Sequence, residues 1–296
     1  IISSSPERLF SVNNNILQTR PIAGTHPRGK GSDDKTLKDN LISNPKEIAE
    51  HVMLLDLERN DMGRVCEYGS VFVNEVMTPL GWDGVMSLLV GSSRDVGELL
   101  VHDRRIPLVS ATGSCNMGRK IGEVVAKRLG RSLLELGGNN AIIVMPDSDP
   151  ELVLRAVLFG AVGTSGQRCT STRRLFLHKS ISSSIIEKLV ASYSQIKIGN
   201  PLNSDTIVGP LVDKTAVQDY SDALEIIKKE NGEIIYGGNV IQADGFYVEP
   251  TLVKANMDMQ IVREETFAPI LYLFEFEDLE EAIEAPNSVD QGLSSS

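Results

Sequence analysis

The sequence predicts an α/β fold. Strand-like segments alternate with helix-like ones along most of the chain, the pattern of strands packed between helices. The 296 residues are 41% apolar and 23% charged, enough to bury a sizeable core divided among two or three units. No repeat or low-complexity tract interrupts the alternation.

In chain order, residues 15–25 (NILQTRPIAGT) read as a strand running into a turn, and residues 43–61 (SNPKEIAEHVMLLDLERND) as a capped helix. Asn44 is placed to cap it, Pro45 takes the first helical position, and Ile48, Val52 and Leu55 recur at helical spacing. The character of the chain changes around residues 76–87 (VMTPLGWDGVMS). Residues 132–145 (SLLELGGNNAIIVM) alternate between strand and glycine turn, and residues 150–163 (PELVLRAVLFGAVG) form an amphipathic helix that delivers the chain to Cys169. A strand (RRLFLH) and two helices follow, SSSIIEKLVASYSQI and KTAVQDYSDALEIIKKENG, then strands at EIIYGG and FYVEPTLV.

The charge balance is acidic, 29 Lys and Arg against 40 Asp and Glu, for a formal net charge of -11. Nucleic acid and anionic membranes are repelled at long range, and no basic patch offsets this, so neither is expected as a partner. Cys66, Cys115 and Cys169 are odd in number and widely spaced, which argues against a disulfide framework or a CxxC metal site and for a reducing compartment. With no leader-like start and no apolar run long enough to span a bilayer, the chain reads as soluble and cytoplasmic. It begins on Ile and stops at QGLSSS, and both ends read as cut.

Two glycine-containing stretches invite chemistry. In residues 163–176 (GTSGQRCTSTRRLF), Cys169 is flanked by Arg168, Thr170 and Ser171, with Arg173 and Arg174 close behind. Positive charge and partial exposure suit a thiolate, whereas the bland alternative is a small buried hydrophobe. Residues 113–120 (GSCNMGRK) nearly match a P-loop, but Arg119, Lys120 and then Ile121 follow Gly118, so the magnesium-binding hydroxyl is absent and a nucleoside triphosphatase is not expected.

From about residue 80 to 296 the chain resembles the aldehyde dehydrogenases. LLELGGNNAIIV and GTSGQRCTSTRRLF are most similar to the antiquitin type, the α-aminoadipic semialdehyde dehydrogenases. SATGSCNMG, IGNPL, VGPLV, YVEPTLV and EETFAP follow in the family's order. Residues 1–79 resemble the chorismate-utilising enzymes, chiefly anthranilate synthase component I, through SPERL, TRPIAGTHPRG and KEIAEHVMLLDLERNDMGRV. The resemblances imply an N-terminal α+β fragment of a chorismate-binding fold (1–79), an incomplete Rossmann-like cofactor domain (80–134), and an α/β catalytic domain (135–296).

What the dehydrogenase resemblance implies is oxidation of an aldehyde, such as a semialdehyde, to a carboxylic acid with hydride transfer to NAD or NADP. Cys169 matches the nucleophile that forms the thiohemiacetal and thioester. Glu135 matches the general base, its carboxyl expected to be raised by partial burial beside two glycines; read alone, it is a solvated strand end. Thr112, Gly113, Ser114 and Gly118 match the turn and helix start that receive the pyrophosphate, or else form a plain glycine turn. Leu136 and Gly137 line the same cleft, while Glu265 and Phe267 match the residues that hold the nicotinamide ribose and pack against the ring. Their plain alternative is an acidic turn with a core Phe. Ala111 and Cys115 depart from the family's Phe and Thr.

The expected asparagine of the oxyanion hole and lysine of the adenosine site are missing, because TPLGWDGVMSLLVGSS bridges their place with neither residue type. Impaired oxidation is the expected consequence of this, and an unpaired sheet edge that of the family's final segment lying past the last residue here. The family is homo-oligomeric, through a segment past the last residue here. In the N-terminal part, Ala23 fits the anthranilate-synthase type and Glu50 matches a magnesium ligand, although Glu47, Glu50 and Asp56 also fit a solvated helix face. His26 and His51 carry no expected role. A chorismate-converting lyase and a non-catalytic fusion or truncation product stand as the alternatives.

Overall fold

The computed structural model describes residues 8–13, 16–20 and 96–296. The chain divides into two units at residues 106 and 107. In the first, β1 (Arg8–Asn13) pairs antiparallel with β2 (Ile16–Arg20), within the stretch read as strand and turn, and α1 spans Glu98–His102. The helix expected over residues 43–61 lies outside the described residues, as do residues 76–87.

The second unit opens with β3 (Leu108–Thr112), α2 (Cys115–Lys127) and β4 (Arg131–Glu135), a strand–helix–strand run whose two strands are parallel. Ser114 caps α2: its Oγ accepts from Met117 N at 3.2 Å, worth about 1 kcal/mol. Then follow β5 (Asn140–Val144), α3 (Pro150–Val162), β6 (Thr172–His178), α4 (Lys179–Tyr193) and α5 (Lys214–Lys229). The remaining elements are β7 (Glu233–Tyr236), β8 (Val240–Ile241), β9 (Tyr247–Val248), β10 (Thr251–Lys254), β11 (Ile270–Phe276) and α6 (Leu279–Glu284). Asp149, with Pro150 at the first helical position, caps α3, and Asp213 caps α5 through Ala216 N at 2.9 Å.

Five strands form the main sheet in the order β5-β6-β11-β10-β7, all parallel to their neighbours except β7. Alternation along β11 shows how it is buried on both faces. Ile270, Tyr272, Phe274 and Phe276 join a core with Phe176 and with Tyr220, Leu224 and Ile227 of α5. Leu271 and Leu273 join a second core with Leu175, Leu177 and apolar residues of α3 and α4, such as Val157 and Leu189. The period of two sends successive side chains to opposite faces, and helices cover each face of a parallel sheet.

One expectation changes here. FYVEPTLV is not one strand: Tyr247–Val248 pairs with β8 in a separate two-stranded sheet, and only Thr251–Lys254 joins the main sheet. Pro250, between them, has no N–H to continue a ladder, and its carbonyl lies 2.3 Å from where a side chain on Gly237 would start. The unpaired sheet edge expected above falls at the β3–β4 pair. At β5, Ser296 N donates to Ala141 O and Ile143 N to Ser296 O, at 3.1 and 2.8 Å, whereas β3 and β4 have no strand beyond each other among the described residues.

Candidate active site

Three loops meet at the amino-terminal edge of the parallel strands. The turn over residues 136–139 feeds β5, the loop over residues 163–171 feeds β6, and residues 264–269 feed β11. Because these strands run side by side in one direction, the loops that precede them share an edge. The pair β3–β4 points its carboxyl ends at the same place: Thr112 lies opposite Glu135, and Gly113 N donates to Glu135 O at 3.0 Å.

The Cys169 loop is shaped by its exit from α3. Thr164, Ser165 and Gly166 all take left-handed backbone angles, with φ of 53°, 56° and 69°. For the two non-glycine residues this costs roughly 1–2 kcal/mol each, and such strain collects where a loop must present a side chain. Ser165 is held by its hydroxyl on Gly209 O at 2.7 Å, and Gly166 is pressed against the backbone of Ala268, 2.6 Å from where a Cβ would stand. The chain then turns outward and leaves Cys169 exposed.

Asn140 ties this loop to the glycine turn. Its Nδ2 donates to Cys169 O at 2.7 Å and to Ser171 O at 2.8 Å. Gly138 is required by the same contact, since a Cβ there would stand 2.6 Å from Cys169 O. On the other side of the turn, Gly137 makes room for Glu265, whose Oε2 lies 1.8 Å from the position of a Gly137 Cβ, and Gly138 N donates to Glu265 Oε1 at 3.3 Å. Gly118 lets α2 approach the Leu136 side chain, and Cys115 Sγ sits 3.9 Å from Gly137 O.

Arg173 lies at the centre, 2% exposed. Its guanidinium donates to Thr266 O at 2.7 Å, Gly166 O at 3.2 Å and Arg168 O at 3.2 Å, with longer bonds to Gly138 O and Ala268 O, and pairs with Glu265 Oε1 at 3.1 Å. It also lies 5.4 Å from the centre of the Phe267 ring. Burial pushes the guanidinium below its ordinary pKa, and the Glu265 carboxylate pulls it back by charge and hydrogen bond. Arg174, facing the other way, donates to Asn139 O at 2.6 Å and reaches Ala285 O and Pro286 O; burial pushes it to about 10. At neutral pH both stay charged.

Residues 71–296 match the model of the Aldehyde dehydrogenase family. The chain belongs to that family. Within it, the chain is 50% identical over 212 residues to aldehyde dehydrogenase family 7 member A1 of Pisum sativum, covering 72% of this chain and 42% of the relative. It is also 50% identical over 214 residues to the alpha-aminoadipic semialdehyde dehydrogenase of Mus musculus, covering 72% and 40%. Among solved structures, betaine aldehyde dehydrogenase from Staphylococcus aureus in complex with NAD+ aligns with a TM-score of 0.69 at 30% identity, covering 70% of this chain and 42% of that one. An aldehyde dehydrogenase from Bacillus cereus aligns with a TM-score of 0.68, also at 30% identity, covering 69% and 42%. The chain thus spans about two fifths of the length of the curated relatives it matches. Residues 1–90 match the model of the chorismate binding enzymes, overlapping the aldehyde dehydrogenase match over residues 71–90.

Against this family background, the structure collects Thr112, Gly113, Glu135, Gly137, Cys169, Glu265 and Phe267 around one glycine turn, but one expected environment is not found. Glu135 ends β4 exposed rather than partly buried. Of the arginines read as charge for the thiol, Arg173 interacts with Cys169 by charge while bonded as described; Arg174 is engaged as described, and Arg168 lies against Phe159, with Nη2 on its carbonyl at 2.8 Å and the guanidinium 4.7 Å from the ring centre. Asn140 and Arg173 had no expected role as ties between loops. The signal for Arg173 is its place at the head of RRLFLH, because a strand buried on both faces gives arginine no route to solvent and each must find acceptors inside.

Ser114 and Gly118 place the start of α2 beside the turn, and the amides of Cys115 and Asn116 come before Gly118 N, which donates to Ser114 O at 2.9 Å, so this end suits a phosphate. Glu50 lies outside the described residues, and among the described residues no group of three or more His, Cys, Asp or Glu could hold a metal ion. Among them, too, no helix is long and apolar enough to cross a membrane. A cavity of about 480 Å³ lined by Lys254, Met257, Phe274 and Phe276 opens at the carboxyl ends of β10 and β11, the edge opposite Cys169, and none of the expected site residues borders it.

Proposed function

We propose that the chain carries the covalent part of an aldehyde-oxidising site, with Cys169 as nucleophile and Glu135 as base, acting on an aldehyde such as a semialdehyde. The observation that supports this is the meeting of the exposed Cys169 loop with the turn that follows Glu135, bonded through Asn140. The Cys169 thiolate adds to the carbonyl carbon, forming the C–S bond of a thiohemiacetal. NAD or NADP, when bound, supplies the acceptor for the hydride that leaves this carbon. Glu135 then takes a proton from water, the oxygen attacks the thioester, the C–S bond breaks, and the carboxylic acid leaves. Thr112, Gly113, Ser114 and Gly118 would face the pyrophosphate; Leu136, Gly137, Glu265 and Phe267 would face the nicotinamide riboside.

Residues 78–93 hold no asparagine and no lysine for the oxyanion hole and the adenosine site. Losing one oxyanion donor costs about 10²–10³ in rate in acyl transfer and oxidation alike, whereas hydride transfer also needs the dinucleotide held without the adenosine lysine, so we expect weak acyl transfer to persist where oxidation is slower still. Hydrolysis of p-nitrophenyl acetate tests this. Cys169→Ala should abolish it, and Glu135→Gln should leave an acylation burst with slow turnover; hydrolysis that survives Cys169→Ala removes the assignment. NADH formation at about 1 s⁻¹ or faster, an ordinary enzymatic rate, would remove the impairment.

We place the divisions at residues 1–79, 80–134 and 135–296. The match of residues 1–90 favours a second reading for the first of these, a segment of a chorismate-converting lyase with Glu50 toward magnesium. Anthranilate fluorescence from chorismate, ammonia and magnesium tests it, and absence of product removes it.

A further inference from the structure

We propose that Arg173 is the positioning residue of this site: one buried guanidinium fixes the Cys169 loop, the Gly137–Gly138 turn and the Glu265–Phe267 loop relative to one another and sets the orientation of Glu265. Each loop contributes acceptors to it, Gly166 O and Arg168 O from the first, Gly138 O from the second, and Glu265 Oε1, Thr266 O and Ala268 O from the third. A planar fork with five donors can serve several carbonyls at once, which lysine cannot.

The pairing has a specific result for Glu265. Oε1 accepts from both Arg173 and Gly138 N, while Oε2 occupies the space beside Gly137 with no hydrogen bond among the described residues. One carboxylate oxygen is fixed to the protein and the other is left to accept from a ligand hydroxyl. The positive partner also offsets the Glu265 charge at a site meant for a dinucleotide, itself an anion. This step rests on the reading of Glu265 as the ribose residue.

Arg174 supplies the control. It is equally buried, 2% exposed, and bonds Asn139 O, Ala285 O and Pro286 O without touching Glu265 or the Cys169 loop. The test compares Arg173→Lys, Arg174→Lys, Glu265→Gln and the Arg173→Lys/Glu265→Gln double variant in the full chain. Two quantities are read: the dissociation constant for NAD by equilibrium dialysis, and the rate of iodoacetamide labelling at Cys169 relative to Cys115 by peptide mass spectrometry.

Arg173→Lys should weaken NAD binding tenfold or more and change the labelling ratio at least threefold. Glu265→Gln should weaken NAD binding comparably with the labelling ratio within twofold, and the double variant should be no worse than Arg173→Lys alone, because both act through one contact. Arg174→Lys should leave both quantities within twofold. Equal effects of the two arginine variants, or additive losses in the double variant, overturn the proposal. If the parent chain binds no NAD, the missing adenosine lysine accounts for it and the labelling ratio decides alone: unchanged in Arg173→Lys, it overturns the positioning role. If Arg173→Lys does not fold, the isosteric Glu265→Gln decides, and NAD affinity unchanged in that variant overturns the proposal.

Discussion

Replacing Gly137 with alanine places a methyl group in space held by the Glu265 carboxylate. The new Cβ would stand 1.8 Å from Oε2 and 2.7 Å from Cδ, well inside the 3.4 Å at which ordinary contact begins. Gly137 is not among the residues with positive φ, so the backbone itself accepts alanine and the whole cost comes from this contact. A carboxylate at the end of a free side chain would swing aside cheaply. Glu265 is not free, because Oε1 is held by Arg173 at 3.1 Å and by Gly138 N at 3.3 Å. Retreat by roughly 1.5 Å breaks both bonds, and hydrogen bonds to charged groups are worth roughly 1.5–3 kcal/mol each. The Glu265 side chain is 12% exposed and regains some hydration when displaced, so the net loss should be about 1–3 kcal/mol. In a unit of the size of residues 107–296 this lowers Tm by roughly 3–10 °C. Calorimetry on the parent, Gly137→Ala, Glu265→Ala and the double variant checks it: with Glu265 truncated, Gly137→Ala should cost less than about 0.5 kcal/mol. An equal loss of Tm in both backgrounds would refute the reasoning.

Gly138→Ala should be worse, by about 3 kcal/mol or more, because its Cβ meets a backbone atom, Cys169 O at 2.6 Å, and Asn140 Oδ1 at 2.7 Å, neither of which can swing away. It should change the rate of Cys169 alkylation as well as Tm, and an unaltered rate would count against the tie through Asn140. At alkaline pH the tertiary core should weaken through Tyr220, whose hydroxyl sits 2.9 Å from Glu249 O and 2.7 Å from Thr251 Oγ1 and whose pKa is pushed up by burial to about 12 from 10.0. A raised folded-state pKa means that the stabilisation is complete below pH 10.0 and is lost as pH rises toward about 12. Burial drives Tyr193 and Tyr272 in the same direction. Urea unfolding at pH 9 and pH 11 should show the fall, and Tyr220→Phe should make it shallower.

Helices α3, α4 and α5 were legible because each carries its own local signals, whereas the short α1 and α6 were missed. Asp149 followed by Pro150, and Asp213 ahead of a run of helical period, mark helix starts that the structure places there. β6 was legible as the apolar run RRLFLH, whereas β11 was missed and so was the order of strands, since β6 pairs with β11 across almost a hundred residues of intervening chain. The splitting of FYVEPTLV at Pro250 was missed for a related reason: period alone does not say which sheet a strand will join. Around the site, the glycines of LELGG and the cysteine of GQRCT stood out by residue type, whereas the acceptors that Arg173 finds are backbone carbonyls, to which any residue contributes.

By itself the sequence determined the α/β class, most element positions, the family, and the set of side chains available for chemistry, because these depend on periodicity, caps and residue types read in order. Only the tertiary structure decided that Glu135 is exposed, that Arg173 and Arg174 bond carbonyls and, for Arg173, Glu265, and that Gly137 and Gly138 are glycines because Glu265 and the Cys169 carbonyl occupy their side-chain space. These are relations between segments far apart in the chain. Burial and close contact are fixed when such segments pack, so no local window of sequence contains the distances that set them.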